Sequence, residues 1–232
     1  MNSLKNRVGR VVEPGKVDFL IRTVEEPKAS QVVVKIVSSA ICGSDLHIFK
    51  GKHPSAPLPV TIGHEFAGDV VAVGSGVTKV KVGDRVTVEP VIVCGKCLAC
   101  RSGNYGHCEN ISFTYRNGDG AMADYITVLE HYVYKLPEHL SYDAGALIEP
   151  LSVAVHAVRR ADIKLGEKVL VIGAGAIGIL IAALCKRSGA SEVAVVDFSP
   201  KRLSVALEVG ATVAINPSKQ DVYDIISEIT NG

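Results

Sequence analysis

The sequence has no excess of charge of either sign and no long apolar run. Among its 232 residues, 25 Lys and Arg nearly balance 24 Asp and Glu, which gives a formal net charge of +1. Without a basic block there is no electrostatic reason to expect nucleic acid or an anionic membrane surface as a partner. No stretch approaches the roughly 20 consecutive apolar residues that a membrane-spanning helix needs. We therefore expect a globular protein whose partner is a small molecule.

The first residues of the sequence do not have the pattern expected of an export signal. The segment MNSLKNRVGRVVEPGKV has no continuous apolar core after its charges, so we expect neither a secretory signal nor a membrane anchor. The protein is thus expected in the cytoplasm, where thiols stay reduced. Six cysteines are present, four of them within fifteen positions. In a reducing compartment, cysteines that are clustered in this way favour metal ligation over disulfides.

The rhythm of the sequence changes near residue 150, which predicts two domains. Residues 1–149 consist mainly of short β-branched runs separated by Gly, Pro and Asp, which is typical of a β-rich, barrel-like domain. Residues 150–232 alternate helical patterns with compact strands, which predicts a parallel sheet with crossover helices. The expected fold class is therefore β plus α/β.

Three glycines follow an apolar run as G-A-G-A-I-G and precede a helical pattern. Gly173 permits the tight turn, Gly175 lets a pyrophosphate approach the backbone, and Gly178 lets helix and strand pack closely. Asp197 lies nineteen residues after Gly178, where a carboxylate accepts hydrogen bonds from an adenosine ribose and repels a 2′-phosphate. The pattern predicts NAD binding, the alternative being a generic strand-to-helix turn. Arg202 lies over the adenine or is simply solvated.

Four cysteines in one loop have the spacing of a structural zinc site. Cys94, Cys97, Cys100 and Cys108 form C-x2-C-x2-C-x7-C. Two-residue spacers let successive thiolates face one ion, and a four-thiolate cage leaves no position open for chemistry. Disulfides, a redox C-x-x-C pair and an iron–sulfur cluster are the alternatives. Cys185 lies in an apolar helical pattern and is assigned to core packing.

A second set of donors predicts an open metal site. A thiolate, an imidazole and a carboxylate can hold zinc and leave a fourth position for water or substrate, as Lewis-acid catalysis on an alcohol requires. Taken singly, each residue also has a structural explanation, as core or as a helix terminus. The candidates are Cys42, Ser44, His47, His64, Glu65 and Glu149.

These motifs together resemble a known family. The segments CGSDLH, GHEFAG, the four-cysteine loop, GALIEPLSVAVHA and VLVIGAGAIG are similar to those of the zinc-dependent medium-chain alcohol dehydrogenases, in particular the sorbitol (polyol) dehydrogenase branch. The resemblance covers almost the whole chain. It implies a GroES-like catalytic domain over 1–149 and a Rossmann domain, with its doubly wound parallel sheet, that begins at 150. It also implies two zinc ions, NAD, and a homo-oligomer for the full-length family member.

The resemblance also assigns roles at the open site. Cys42 and His64 would ligate the catalytic zinc, and Glu65 would be a direct ligand or alternate with water. Glu149 stands where alcohol dehydrogenases commonly have a cysteine ligand, and in polyol dehydrogenases a glutamate there holds the zinc-bound water or substrate. Which glutamate is the third direct ligand stays open.

Further roles concern the proton and the cofactor. Ser44 and His47 would form the relay that passes the alcohol proton to solvent. Ile177, Asp197 and Arg202 would line the adenosine side of the cofactor.

The substrate is less defined than the chemistry. Ile48 stands where animal sorbitol dehydrogenases have a tyrosine that contacts the polyol, which argues against sorbitol. Secondary alcohols, diols such as butanediol, sugar acids such as idonate, and threonine remain candidates. Ser44, where threonine dehydrogenases of similar pattern carry threonine, argues mildly against the last.

The Rossmann pattern is incomplete. Only three strands are predicted, near residues 168–172, 192–197 and 212–215, whereas a complete dinucleotide fold has six. The first strand would then expose an unpaired edge. We therefore expect a fragment of a dehydrogenase that transfers hydride between a secondary alcohol or polyol and NAD. The alternative is a short chain that binds zinc and the adenosine half of NAD without turnover.

Overall fold

The computed structural model describes residues 4–54, 56–114 and 120–232. The chain divides into two compact units, Met1–Glu149 and Pro150–Gly232. Each unit has its own hydrophobic core.

The first unit is built mainly from short strands. Its strands are β1 (Lys5–Glu13), β2 (Lys16–Thr23), β3 (Gln31–Ala40), β4 (Glu65–Val73), β5 (Arg85–Val88), β6 (Val91–Ile92), β7 (Ser112–Phe113), β8 (Tyr125–Leu129) and β9 (Val133–Lys135). Its helices are α1 (Gly43–Phe49), α2 (Leu98–Arg101), α3 (Tyr142–Ala146) and the start of α4 (Ile148–Ala161).

An antiparallel sheet of order β8-β3-β4-β5-β9 forms the body of this unit. The β1–β2 hairpin and the β6–β7 pair accompany it. The hairpin is joined to the rest of the unit by bridges from Val8 to Ala123 and from Val11 to Val60. Val, Ile and Phe side chains of the five-stranded sheet bury a common core, as β-branched and aromatic residues favour.

The two faces of β4 serve different purposes. Successive side chains of a strand point to opposite faces. Phe66 and Val70 belong to the main core, whereas Ala67 packs in a smaller cluster with Ala146 of α3. Glu65 and Asp69 share the face of Ala67 by alternation. One strand thereby joins the barrel core to the region where polar donors collect.

The second unit alternates strands and helices. After α4 its elements are β10 (Lys168–Ile172), α5 (Ala176–Arg187), β11 (Glu192–Val196), α6 (Pro200–Val209), β12 (Val213–Ile215) and α7 (Val222–Thr230). The strands are parallel in the order β10-β11-β12. Ser199 and Asp221 cap α6 and α7 by accepting backbone N–H bonds, as N-cap residues do.

The architecture agrees with the fold class predicted from the sequence, a β-rich part followed by a parallel α/β part. In the described residues β10 has a strand neighbour on one side only, and Ile172 at its end is 82% exposed. Within those same ranges, no helix is both long enough and apolar enough to cross a bilayer.

Candidate metal centres and dinucleotide turn

Asp45 ties together the two segments that carry the first group of donors. Its carboxylate is 1% exposed. Oδ2 accepts a hydrogen bond from the backbone N–H of Cys42 (3.0 Å), and Oδ1 accepts one from the backbone N–H of Gly63 (3.1 Å). Oδ1 also lies 3.6 Å from Nδ1 of His64. The start of α1 and the turn before β4 are therefore held against one buried charge.

Cys42, His64 and Glu65 form the open cluster that the sequence predicts. Their ligand atoms all lie within 4.8 Å of one another. His64 and Glu65 are buried, and Cys42 is half-buried. A soft sulfur, a ring nitrogen and a carboxylate at this separation can converge on one ion, and three donors leave a tetrahedral position open.

The acidic groups of the cluster and His64 shift one another's pKa values. A hydrogen bond with His64 lowers the pKa of Cys42 against the effect of burial, and Ser44 adds to it. Burial alone would lower the pKa of His64, but hydrogen bonds with Asp45 and Cys42 raise it to about 10. Burial raises the pKa of Glu65, with His64 opposing. A cation would satisfy these acidic groups together.

Glu149 lies near this cluster without belonging to its tightest group. It is in the first turn of α4 and is partly buried. Burial raises the pKa of Glu149, with His64 lowering and Glu65 raising it. These charges are thus close enough to interact with the Glu149 carboxylate, and Glu149 is available as a further ligand or as a holder of water.

The two predicted relay residues lie on α1 beside the cluster. Ser44, at the start of the helix, contacts Cys42 through the hydrogen bonds that lower the thiol pKa. His47 lies one turn further on and is exposed. Ser44 and His47 are three residues apart on α1, a spacing that places two side chains on the same face of a helix.

The four loop cysteines also converge. Their sulfur atoms lie within 4.8 Å of one another, with Sγ–Sγ distances of 3.5 Å from Cys97 to Cys100 and 4.0 Å from Cys94 to Cys100. Four sulfurs at about 2.3 Å from one zinc ion would be about 3.8 Å apart. All six cysteines of the chain are free thiols. The arrangement therefore fits a single tetrahedral ion, and the disulfide alternative does not describe it.

Backbone N–H groups point at these sulfurs. The N–H of Cys97 approaches Sγ of Cys94 (3.4 Å), and that of Cys94 approaches Sγ of Cys108 (3.3 Å). The pKa of Cys94 is lowered to about 6, chiefly by the N–H groups of Lys96 and Cys97. Burial and the neighbouring thiols raise the pKa of Cys100. Four thiolates cannot all ionise side by side unless a cation compensates them.

The glycine turn in the second unit has the geometry expected of its motif. Gly173 has a φ of +98°, which favours glycine. A Cβ on Gly178 would lie 1.8 Å from the carbonyl oxygen of Gly173, so the close approach of α5 to β10 requires glycine. A Cβ on Gly175, the N-cap of α5, would meet nothing within 4 Å. The space before the helix N-terminus is open, as a phosphate cradle requires.

Asp197 closes this turn from the end of β11. Its Oδ2 accepts the N–H of Ala174 (2.8 Å) and its Oδ1 accepts the N–H of Ser199 (2.8 Å). The N–H groups of Ser199 and Ala174 lower the pKa of Asp197 against burial. Arg202 is 60% exposed and lies 3.9 Å from this carboxylate. Ile177 lies in the first turn of α5 and is half-buried.

The class of protein follows from what the two units hold. Oxidation of an alcohol by a nicotinamide uses a fold that binds the dinucleotide, and a metal ion serves as Lewis acid in many such enzymes. A three-donor open cluster and a dinucleotide turn are therefore the features of a metal-dependent dehydrogenase fold.

Comparison with known proteins identifies the family. Residues 28–138 match the family profile of the alcohol dehydrogenase GroES-like domain, and residues 176–232 match that of zinc-binding dehydrogenases. The chain belongs to the zinc-type alcohol dehydrogenase family. The GroES-like and partial Rossmann assignments made from the sequence are thus confirmed.

The relatives are longer than this chain. It is 42% identical to an uncharacterised zinc-type alcohol dehydrogenase-like protein, YdjJ, of Escherichia coli K12, a match that covers 98% of this chain and 67% of that protein. It is 40% identical to sorbitol dehydrogenase of Bacillus subtilis, over 92% of this chain and 62% of that enzyme. The chain thus spans about two thirds of the curated relatives' length.

A solved structure bears on the cofactor. A zinc-binding dehydrogenase of Sinorhizobium meliloti, solved with NADP bound, aligns with a TM-score of 0.89 at 34% identity. The alignment covers 94% of this chain and 64% of that one.

Sequence reasoning missed one residue of the site, Asp45. The signal was present as C-x-x-D at the start of α1, in which a carboxylate three residues after the N-cap bonds back to the N-cap N–H. The bond from Gly63 could not be read from the sequence because it joins segments eighteen residues apart.

Proposed function

We propose that this chain is the catalytic and adenosine-binding part of a zinc-dependent dehydrogenase that transfers hydride between a secondary alcohol or polyol and NAD. The observation that carries the proposal is the cluster of Cys42, His64 and Glu65, whose ligand atoms lie within 4.8 Å. A closed four-thiolate site would only stabilise a loop, whereas this donor set leaves a position for substrate.

Zinc fits both clusters, and it would supply a Lewis acid at the open one and a structural cross-link at the other. Cys42 and His64 would hold the catalytic ion, with Glu65 and Glu149 as candidate third ligands. Cys94, Cys97, Cys100 and Cys108 would hold the structural ion. Asp45 would orient His64, since a metal-bound histidine is commonly fixed by an acceptor on its other ring nitrogen.

The remaining residues would manage the proton. Ser44 would take the proton released from the alcohol hydroxyl while giving up its own hydroxyl proton, which would pass by way of the cofactor ribose to His47. His47 would pass that proton to solvent, because its ring is exposed. Burial of His64 and Glu65 keeps bulk water away from the inner side of the cluster.

NAD is the proposed hydride acceptor. Gly173, Gly175 and Gly178 would place the pyrophosphate before the N-terminus of α5. Asp197 would bind the ribose hydroxyls, and its charge would disfavour a 2′-phosphate. The bound NADP in the Sinorhizobium structure belongs to that protein. Arg202 would lie beside the adenosine, and Ile177 would line it.

The substrate proposal remains a class. The similarity to sorbitol dehydrogenase of Bacillus subtilis supports a polyol or secondary alcohol. Ile48 is 1% exposed and contributes to a core cluster with Val60, so it cannot act as a polar contact to a polyol. We therefore place simple diols and secondary alcohols ahead of sorbitol. Four thiols that fit one metal ion are typical of a reducing setting, so we also place the protein in the cytoplasm.

One observation favours a second candidate function, in which the chain binds zinc and the adenosine half of NAD without turnover. The described parallel sheet contains β10, β11 and β12 only, with β10 at its edge. These strands correspond to one mononucleotide half.

Binding and turnover measured on the same preparation test both candidates. We expect two zinc ions per chain and binding of ADP-ribose. NAD reduction with a panel of diols and secondary alcohols supports the dehydrogenase. ADP-ribose binding with no turnover supports the second candidate. Absence of zinc after anaerobic purification would refute both.

A further inference from the structure

Helix α3 connects the barrel to the first turn of α4, where Glu149 lies. The side chains of its first two residues, Tyr142 and Asp143, are each hydrogen-bonded to a strand of the barrel. The hydroxyl of Tyr142 donates to Oδ1 of Asp69 on β4 (2.5 Å), and the hydroxyl of Ser38 on β3 donates to Oδ1 of Asp143 (2.7 Å). A helix of five residues is thereby fixed at its start from two directions.

The other end of α3 is tightly packed against β4 and Leu136. A Cβ on Gly145 would lie 2.6 Å from Cδ1 of Leu136 and 2.9 Å from Cβ of Ala67. Ala146 is buried in the same cluster. The helix therefore cannot move closer to β4. Its hydrogen bonds to Asp69 and Ser38 fix its position along the strands.

Arg85 completes the attachment. Its guanidinium lies 4.2 Å from the centre of the Tyr142 ring, and its Nη1 and Nη2 donate to the carbonyls of Glu138 (2.9 Å) and Leu140 (2.6 Å). The segment that leads into α3 is thus held by the residue that stacks on Tyr142. A planar, five-donor side chain is suited to both contacts.

The anchored strands are those that lead to the open metal cluster. Asp69 follows Glu65 by four residues on β4, and Ser38 precedes Cys42 by four residues. A short length of β4 therefore joins Asp69 to Glu65, and the end of β3 leads from Ser38 to Cys42. Glu149 follows Tyr142 by seven residues, through α3 and its C-cap.

From this geometry we propose that Tyr142 and Asp143 are positioning residues that hold the carboxylate of Glu149 at the open metal cluster, through hydrogen bonds to Asp69 and Ser38. The inference rests on the proposed function in that it takes the cluster to bind metal. The proposed effect passes through α3, which joins both residues to Glu149 in the first turn of α4.

A mutant cycle with cobalt tests the proposal without any turnover. The metal-free chain is titrated with Co²⁺, and the affinity and visible spectrum of the open site are recorded. Tyr142→Phe and Ser38→Ala should each weaken Co²⁺ binding about tenfold, which is the lower end for residues that orient metal ligands. In a Glu149→Gln background, both substitutions should cause no further loss.

Matched controls accompany the cycle. Tyr134 on β9 donates a comparable hydrogen bond, to Oε2 of Glu89 (3.1 Å), so Tyr134→Phe removes the same hydroxyl from another part of the barrel. It should leave the open site unchanged. The cobalt absorption of the four-thiolate cage is an internal reference and should stay constant in every variant. Thermal unfolding of each variant checks that it is folded.

The outcomes are distinct. If Tyr142→Phe weakens Co²⁺ binding equally with Glu149 and with Gln at that position, the effect does not pass through Glu149 and the inference is overturned. If Glu149→Gln weakens binding while Tyr142→Phe and Ser38→Ala do not, the inference is overturned and the proposed function stands. If the parent chain binds Co²⁺ only in the cage, both are refuted.

Discussion

At the scale of single residues, Asp45 shows how much one buried charge organises. Its two oxygens accept backbone N–H groups from two segments and lie beside His64. A buried carboxylate is tolerated only when its hydrogen bonds are satisfied. Here the same hydrogen bonds also fix the positions of Cys42 and His64 relative to each other.

Substitution Asp45→Asn should destabilise the protein by about 1–3 kcal/mol, because the amide group would turn a donor toward a backbone N–H that needs an acceptor. Urea unfolding at neutral pH measures the loss. The exposed Asp18 on β2 offers a control, Asp18→Asn, whose effect should be close to zero. Equal effects of the two substitutions would contradict this account of Asp45.

The same carboxylate predicts a pH dependence in the chelator-treated protein. The pKa of His64 is raised from 6.5 to about 10, mainly by Asp45 acting against burial. A raised folded-state pKa contributes stability that is complete below the unfolded value and is lost as pH rises toward the folded one. Unfolding free energy should therefore fall between about pH 6.5 and 10. Asp45→Asn should flatten that slope.

We expect Asp197 to influence the choice between NAD and NADP. Its charge should make ADP-ribose bind at least about tenfold more tightly than 2′-phospho-ADP-ribose, a difference of about 1.4 kcal/mol. Asp197→Asn should remove most of this preference, as isothermal titration calorimetry can measure. The exposed Asp162 supplies a control in Asp162→Asn. A preference that survives in Asp197→Asn would assign discrimination to another residue.

At the scale of elements, two glycines of the same turn should behave differently. Gly178→Ala places a Cβ 1.8 Å from the Gly173 carbonyl and should destabilise the second unit by about 1–3 kcal/mol or more. Gly175→Ala meets open space, so stability should hold. It should still reduce ADP-ribose affinity, because the methyl group enters the cradle. Thermal unfolding and calorimetry on both variants separate packing from binding.

The cysteine loop should depend on its ion for order. Zinc binding by four thiolates contributes on the order of 10 kcal/mol in small metal domains. Chelation should therefore increase hydrogen exchange around α2 while β3 and β4 stay protected. Cys97→Ser should reproduce this pattern. Unchanged exchange in the loop after verified loss of zinc would refute a structural ion.

Local patterns predicted most of these elements, and they did so for identifiable reasons. The glycine turn and the C-x2-C-x2-C-x7-C loop each involve residues that are close in the sequence, so their geometry can be predicted from the residue spacing. Asp45, Tyr142 and Asp69 act across segments that are distant in the chain. Hydrogen bonds such as that of Tyr142 with Asp69, seventy-three residues apart, follow no local period and required the structure.

At the scale of the whole chain, β10 lies at the edge of the described three-stranded sheet. Leu170 and Ile172 are 41% and 82% exposed on this strand. An apolar edge strand invites pairing with other chains. Ile172→Lys should reduce self-association severalfold in light scattering and leave the melting temperature within a few degrees. Ser204→Lys, at an exposed position of α6, is a control that should not change association.

The alternation of side chains over residues 65–70 of β4 also limits which length changes the protein can survive. Glu65, Ala67 and Asp69 occupy one face, and Phe66 and Val70 occupy the other. One residue inserted between Glu65 and Ala67 would exchange these faces in part of the strand. Glu65 at the cluster, Ala67 under α3 and the core residues Phe66 and Val70 could then no longer all face their present partners. Alignments with relatives should thus show no gaps between residues 65 and 70.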